Sequence, residues 1–351
     1  KKRTALEVLN EINSFTTEKT KDIDSHYFIV ELVVINNENT DLLNFKNVKD
    51  YLSFNAPLPY SFTFSTYRSA IYEHAANMGL IIDEYNIFLN EEQLFKPYTL
   101  SFDTSNGSDE IVDLEFHDFR DDKGSLIAWL WFGISCFIAK IDKHSPMWGI
   151  RLRRENIQVG NEYTMQKFFA DDSGNRYFVG ELFCVSKDLI PNSQRDYFNE
   201  NEVRSNFEAQ VIQYCGELSV IYKKGSEINN CFKRIKQAEA RITEIQYRIT
   251  KDYFSDDEKR ERAQANLKKA EEEAAKERNK FDKLASCNEI TQKIAQRVKE
   301  VRKRHTSSVV NPRTQTYTQN EKKLLNKVFG IISENLGNLA DPLIMQIQKE
   351  L

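Results

Sequence analysis

Arg195 sits in the stretch Asp188-Leu189-Ile190-Pro191-Asn192-Ser193-Gln194-Arg195-Asp196, a short loop between a strand pattern and a long helix pattern. A guanidinium is permanently charged and offers its donors in a fixed fork, which suits a terminal phosphate whose charge builds up during hydrolysis. The plainer reading is a surface arginine paired with Asp196 or Glu200, and spacing alone favours it. A second basic set, Arg297-Val298-Lys299-Glu300-Val301-Arg302-Lys303-Arg304-His305, could neutralise nucleic-acid phosphates through Arg302, Lys303 and Arg304. Cations also suit a helix C-terminus, and with no aromatic platform beside them the solvated reading is favoured. Arg151, Arg153 and Arg154 fall on a strand pattern and read as a polar sheet face rather than a binding patch.

Other chemistries lack their residues. The 12 glycines form no Gly-x-Gly pair and precede no Lys-Ser or Lys-Thr, so there is neither a P-loop nor a dinucleotide fingerprint. The histidines at 26, 74, 117, 144 and 305 show no His-x-x-x-His spacing, and no metal site is expected. Glu271-Glu272-Glu273 lies within a heptad helix and Asp256-Asp257-Glu258 at a helix start, where acids favour the macrodipole. Cys136 and Cys184 are embedded in apolar strand patterns without a local base.

These residues are positioned by two regions of different periodicity. From about Tyr27 to Lys187, β-branched and aromatic runs alternate with helix-like stretches such as Tyr67 to Met78. Turn signals at Asn106-Gly107, Asp121-Asp122-Lys123-Gly124 and Asp171-Asp172-Ser173-Gly174-Asn175 predict several hairpins, hence a mixed sheet backed by helices.

After Asn199 no proline occurs until Pro312, and apolar residues take helical spacing. Val203, Phe207, Val211, Tyr214, Leu218 and Ile221 line one face, and Ile228, Cys231, Ile235, Ala238, Ile242, Ile245 and Ile249 continue as a heptad seam. Lys251 to Asp257 interrupts it, and Ser255 with Glu258 can form a capping box that opens a second arm. That arm carries Ala263, Leu267, Ala270, Ala274, Phe281, Leu284, Cys287, Ile294, Val298 and Val301, with a phase slip near Leu284 expected to overwind the coil locally. Two arms of about fifty residues would extend roughly 75 Å, as an intrachain antiparallel hairpin.

His305 to Gln319 reads as a linker, Asn320 to Leu336 as an amphipathic helix, and Asp341-Pro342 as the start of a last helix. Two short helices this far from the sheet need a partner surface.

Composition sets the class. With 40% hydrophobic and 12% aromatic residues among 351, the chain can build at least one core. Five cysteines at wide spacings, with no Cys-x-x-Cys, argue against zinc ribbons and disulfide frameworks and fit a cytoplasmic protein. The longest apolar run, Leu126 to Ala139, falls short of the roughly 20 residues that span a bilayer, so no membrane partner is expected. The net charge of −4 is uneven: residues 226 to 305 hold 21 Lys and Arg against 15 Asp and Glu. The chain opens on Lys1 without Met or a signal-peptide pattern and reads as part of something longer.

Gly149-Ile150-Arg151-Leu152-Arg153-Arg154-Glu155-Asn156-Ile157-Gln158-Val159, then Tyr177 to Val185, then the 188 to 196 loop resemble, in order, the middle segment of the heat-shock-protein-ninety chaperones. A bacterial group of related ATP-binding proteins is more similar still, including at Val48 to Tyr60 and Tyr85 to Asn90. The shared region is the transducer of the GHKL ATPases, which include MutL, gyrase B and MORC proteins, and the likeness spans roughly residues 27 to 222. The chaperone loop reads Asp-Leu-Pro-Leu-Asn-x-x-Arg-Glu. Here Asp188, Leu189, Asn192 and Arg195 fall in step, Asp196 replaces the Glu and the proline sits one place later. The resemblance implies that Arg195 contacts the ATP γ-phosphate and that Asn192 supports the loop. The family's nucleotide-binding motifs are missing, so ATP and Mg are expected in an adjoining GHKL nucleotide-binding domain, and this chain alone is not expected to hydrolyse ATP.

The expected fold is α+β: a linker or remnant over 1–22, a transducer-like mixed sheet with helices over 23–198, an antiparallel coiled-coil hairpin over 199–306, a linker over 307–319 and docking or dimerising helices over 320–351. The expected function is a nucleotide-sensing transducer and coiled-coil lever, chaperone-like, homodimeric and acting on a client protein or DNA. The alternative is a non-enzymatic scaffold whose basic hairpin end grips nucleic acid or protein.

Overall fold

Strand β6 (Leu126–Ile134) is apolar on both faces because both faces are covered. Leu130 and Phe132 point into one cluster of buried residues while Trp129 and Trp131 point into another. It is second in a five-stranded mixed sheet ordered β5 (Asp113–Arg120), β6, β9 (Val179–Cys184), β7 (Gly149–Arg154), β8 (Ile157–Gln158). The computed structural model describes residues 40–251, 253–254, 256–303 and 319–336, with the positions 4, 7, 29–31, 343, 344 and 347. The chain divides into two units, Lys1–Asn44 and Phe45–Leu351. Of the first, a 3-10 turn at Thr40–Leu43 is described. The strand-like run Tyr27 to Ile35 and the linkers at 1–22 and 307–319 lie almost wholly outside the described residues, as does most of the last helix.

Two of the three turn signals make hairpins. Asn106-Gly107 joins β3 (Ser101–Thr104) to β4 (Gly107–Glu110), with Gly107 at φ 111°, and Asp121 to Gly124 joins β5 to β6. The third does not: Asp171 to Asn175 leads through a 3-10 turn into β9, which runs parallel to β7. Adjacent strands joined by so long a connection can pair parallel as readily as antiparallel, and the turn residues carry no information on which. A further hairpin, β7 to β8, turns on Glu155 and Asn156, both with positive φ as a type I′ turn requires.

One face of the sheet is covered by the segment carrying α1 (Phe45–Asn55), α2 (Ser65–Asn77) and the short hairpin β1 (Phe88–Leu89) to β2 (Glu92–Gln93). Phe54, Tyr60, Phe64, Ile71 and Tyr98 pack there against Trp129 and Trp131. The other face is covered by α3 (Glu202–Thr250), 49 residues long, through Phe207, Val211, Cys215 and Leu218. The core of the sheet therefore continues without interruption into the root of the long helix.

Asn201 caps α3, its side chain accepting the amide of Arg204 at 2.8 Å. Beyond the sheet, Ile228, Cys231, Ile235 and Ala238 stay buried against α4 (Asp257–Ala285), where Ala270, Ala274 and Phe281 are buried in turn. Ion pairs join the two helices: Glu227 to Lys280, Arg234 to Glu277, Glu239 to Arg278 and Arg241 to Glu273. The N-cap of α4 is Asp256, accepting from the Lys259 amide at 2.8 Å; Ser255 lies outside the described residues.

The phase slip near Leu284 is a break rather than an overwound coil. Helix α4 stops at Ala285 and α5 (Glu289–Lys303) starts anew, with Asn288 and Thr291 exchanging side-chain to backbone hydrogen bonds as a capping pair. Cys287, placed on the seam by periodicity, is exposed at this break. Helix α5 then returns to the sheet: Ile294, Ala295 and Val298 join its core, and Lys293 bridges Asp113 at 2.7 Å and Glu115 at 3.1 Å on β5. Helix α6 (Gln319–Leu336) finds its surface on the α3–α4 turn, Phe329 packing edge-on to Tyr253 with ring centroids 5.3 Å apart. Among the described residues no helix is long and apolar enough to cross a membrane.

Candidate functional site

The loop from β9 to α3 folds back on itself. Pro191 and Phe198 form an antiparallel bridge, the Asn192 amide donates to the Tyr197 carbonyl at 2.8 Å, and the Arg195 amide donates to the Asn192 carbonyl at 3.0 Å. The root of α3 holds this loop: Asn201 donates to the Asp188 carbonyl at 2.7 Å and Arg204 to the Phe198 carbonyl at 2.9 Å. Asn192 donates through Nδ2 to Asp196 Oδ1 at 2.5 Å, a bond within the loop.

Arg195 adopts the left-handed region at φ 56°, where a non-glycine residue is uncommon. Its carbonyl is held by the Gly160 amide at 2.8 Å. Its guanidinium makes one long hydrogen bond, Nη2 to the Arg154 carbonyl at 3.4 Å, and Nε is buried without a partner. The plain reading, a pair with Asp196 or Glu200, is not what the side chains do: Asp196 is taken by Asn192 and Glu200 lies 4.0 Å from Arg204. Asn192 Oδ1 is also buried without a partner. Arg154, next in the same corner, bonds the Cys184 carbonyl and lies 3.6 Å from Glu155.

The second basic set is not brought here. Arg297 is engaged by Glu110 and by Glu300 at 3.2 Å. Arg302 and Lys303 end α5 with side chains outside the described residues, and Arg304 lies beyond them. Of the histidines, His74 meets Asp118 at 3.1 Å and His117 stacks on Tyr214 with centroids 3.8 Å apart. Among the described residues no group of three His, Cys, Asp or Glu could hold a metal ion.

A polar centre that periodicity passed over lies on the other side of β7. Arg151 and Arg153 are not a solvated sheet face; both are buried, alternating with Ile150 and Leu152. Arg153 Nε donates to Glu181 Oε1, and Lys96 Nζ donates to Glu181 Oε2 at 2.8 Å and to Asn156 Oδ1 at 2.7 Å. The Tyr60 hydroxyl also donates to Glu181 and accepts from Trp131 Nε1 at 3.0 Å. Lys96, Arg153, Glu181 and Tyr60 are all 0% exposed and Asn156 is 2%.

Electrostatics divides the lysine from the carboxylate. Burial pushes the Lys96 ammonium well down from its usual range and Arg153 pushes it further, against the pull of Glu181. Burial pushes Glu181 up, but Arg153 and Lys96 outweigh it and hold the carboxyl below its ordinary value. Burial, then the negative charge of Glu181, raises Tyr60. The signal available in sequence was a single acid inside the apolar strand Val179–Cys184, which a folded chain buries only with cations to meet it.

Compared with family models, with curated proteins and with solved structures, the chain finds no match in any of the three.

Proposed function

We propose that this chain is the transducer and lever of a GHKL-type ATPase, in which Arg195 contacts the nucleotide held by an adjoining nucleotide-binding domain. The observation that carries the reading is the state of Arg195. It is a left-handed, non-glycine residue at the root of a 49-residue helix, with a buried Nε that has no partner and no carboxylate to neutralise it among the described residues. Backbone strain at such a position costs of order 1–3 kcal/mol and persists where surrounding structure over-determines it, commonly at ligand contacts. Asn192 holds the loop that presents Arg195, and the unpartnered Nε is the donor an incoming phosphate oxygen would take. ATP with Mg supplies the phosphoryl chemistry in the adjoining domain; the residues of this chain bind and sense charge.

Helices α3 and α4 form, in this reading, an antiparallel coiled-coil hairpin. The order of the ion pairs supports it, since positions rising along α3 from Glu227 to Arg241 meet positions falling along α4 from Lys280 to Glu273. The hairpin would carry the change at Arg195 to a client protein or DNA, with α6 in docking or dimerisation. The five cysteines are all free thiols, which fits a reducing cytoplasm. Replacing Arg195 with Ala in the complete ATPase should cut ATP turnover at least tenfold. Unchanged turnover together with unchanged ATP-dependent closure would remove Arg195 from the mechanism.

A further inference from the structure

The centre around Glu181 contains a lysine that touches both an asparagine amide and a carboxylate, all three buried. Lys96 Nζ is 2.7 Å from Asn156 Oδ1 and 2.8 Å from Glu181 Oε2. The orientation of the amide is set by its surroundings, because Asn156 Nδ2 donates to the Asp83 carbonyl at 2.6 Å, an acceptor that only the amide nitrogen can satisfy. The carbonyl side of the amide therefore faces the lysine. Aromatic rings close the site: Lys96 Nζ lies 4.3 Å from the centroid of Tyr60 and 5.3 Å from that of Phe183.

The same centre is out of electrical balance. Its fully buried members are two cations, Lys96 and Arg153, and one anion, Glu181. Glu84, half-buried and accepting a hydrogen bond from the Tyr72 hydroxyl, is a second acid whose charge acts on Lys96. An uncompensated buried charge is costly, and a site of this kind relaxes by losing it.

We propose that Lys96 and Asn156 form an intramolecular isopeptide bond in the folded chain, with Glu181 relaying the proton. Glu181 Oε2 takes a proton from the Lys96 ammonium, and the freed lone pair on Nζ attacks Asn156 Cγ. The negative charge that develops on Oδ1 is offset by Arg153, whose guanidinium is held beside Asn156 by the bond that Nη1 donates to the main-chain carbonyl of that residue at 3.1 Å. The Cγ–Nδ2 bond then breaks as Nδ2 takes up the proton held by Glu181 and the second proton that Nζ sheds on becoming an amide nitrogen, and nitrogen leaves as ammonium. One C–N bond forms and one breaks, nothing is oxidised or reduced, and Glu181 ends as the carboxylate it began. The Lys96 charge departs with the ammonium, leaving Arg153 and Glu181 as a balanced pair. Burial and Arg153 both favour the neutral amine the attack requires. The product would tie the segment covering the sheet to the β7–β8 turn.

The test is the intact mass of the purified full chain under denaturing conditions, followed by peptide mapping. The wild type is expected to be lighter than its sequence by one ammonia, with Lys96 and Asn156 in one branched peptide whose fragment ions place the bond between these two residues. The variants K96M, N156A and E181Q are expected to show their full sequence masses. Asn156→Asp keeps the shape of the centre and reaches the same product by losing water, so its bonded mass should equal that of the bonded wild type. A wild-type chain at its full sequence mass overturns the proposal without any variant having to fold, as does an ammonia loss that maps to other residues.

Discussion

Gly160 donates its amide to the carbonyl of Arg195 at 2.8 Å, so the residue following the β8 edge of the sheet holds the backbone of the loop at the foot of α3. The contact depends on the absence of a side chain. A Cβ on Gly160 would stand 2.0 Å from Thr164 Oγ1 and 2.7 Å from the Asp196 carbonyl, and the residue is at φ 70°.

Gly160→Ala should therefore destabilise the fold by about 1–3 kcal/mol, the scale of a strained backbone position. Thr164 would have to move, losing the hydrogen bond its Oγ1 accepts from Asn161 at 2.8 Å. Chemical denaturation monitored by tryptophan fluorescence measures the change, and an unaltered midpoint would mean that the loop is not held here.

Arg195 allows strain and charge to be separated. Arg195→Gly relieves the left-handed conformation while Arg195→Ala keeps it, and the left-handed penalty is about 1–2 kcal/mol. The glycine variant gives back part of this through the entropy of its unfolded chain, so it should be the more stable of the two by up to about 1 kcal/mol. Both should lose any nucleotide response equally. Paired thermal melts and ATP titrations of the complete protein decide it.

Glu181→Gln removes the only buried anion of its centre and should cost about 3–5 kcal/mol, since breaking a buried pair leaves charge uncompensated. Its effect depends on acid. The Glu181 carboxyl is shifted from 4.5 to about 2, with burial outweighed by Arg153 and Lys96. A depressed carboxyl contributes stability that is complete above its unfolded value and is lost as pH falls through the folded value. Wild type and variant should thus converge between about pH 4.5 and about pH 2. Denaturation midpoints across that window, compared as a difference between chains whose intact mass shows Lys96 and Asn156 unlinked, isolate this group from the other carboxylates.

Cysteine labelling reports the break between α4 and α5. Cys287 is exposed whereas Cys136, Cys184, Cys215 and Cys231 are buried, and burial pushes the Cys215 thiol up to about 12. A native-state thiol count should give one fast-reacting group, lost in Cys287→Ser, and five after denaturation. A continuous helix through 285–289 would instead keep Cys287 on the seam and slow it with the rest.

The long helix was legible because its apolar positions repeat at three and four over many turns, and so was the burial of Leu126 to Ile134, which is apolar without interruption. What periodicity could not convey was where charges go once two surfaces close. Arg151 and Arg153 read as a polar sheet face because alternation with apolar residues is the pattern of a half-exposed strand; Glu181, from a strand far off in sequence, meets Arg153, and Glu162 meets Arg151. The parallel pairing of β7 with β9 escaped for a related reason, as turn residues announce a reversal but not its partner. At Leu284 the slip in phase was visible, but the capping pair Asn288 and Thr291 decided that the helix would end rather than tighten. For the 188 to 196 loop, spacing showed an arginine in reach of acids, and only the fold shows both acids without a bond to it.

Helix α3 runs unbroken from the foot of the Arg195 loop to Thr250, so its 49 residues span about 73 Å with no joint between them. Treated as a stiff rod pivoting at its base, it displaces its far end by more than 1 Å for each degree of tilt, about the amplitude by which packed helices shift in switching proteins. Because α5 closes back onto β5 through Lys293, such a tilt would also load the contact at the second foot. The two feet share the sheet, and if the hairpin acts as the proposed lever, movement at the tip would be drawn from small relative sliding at the base.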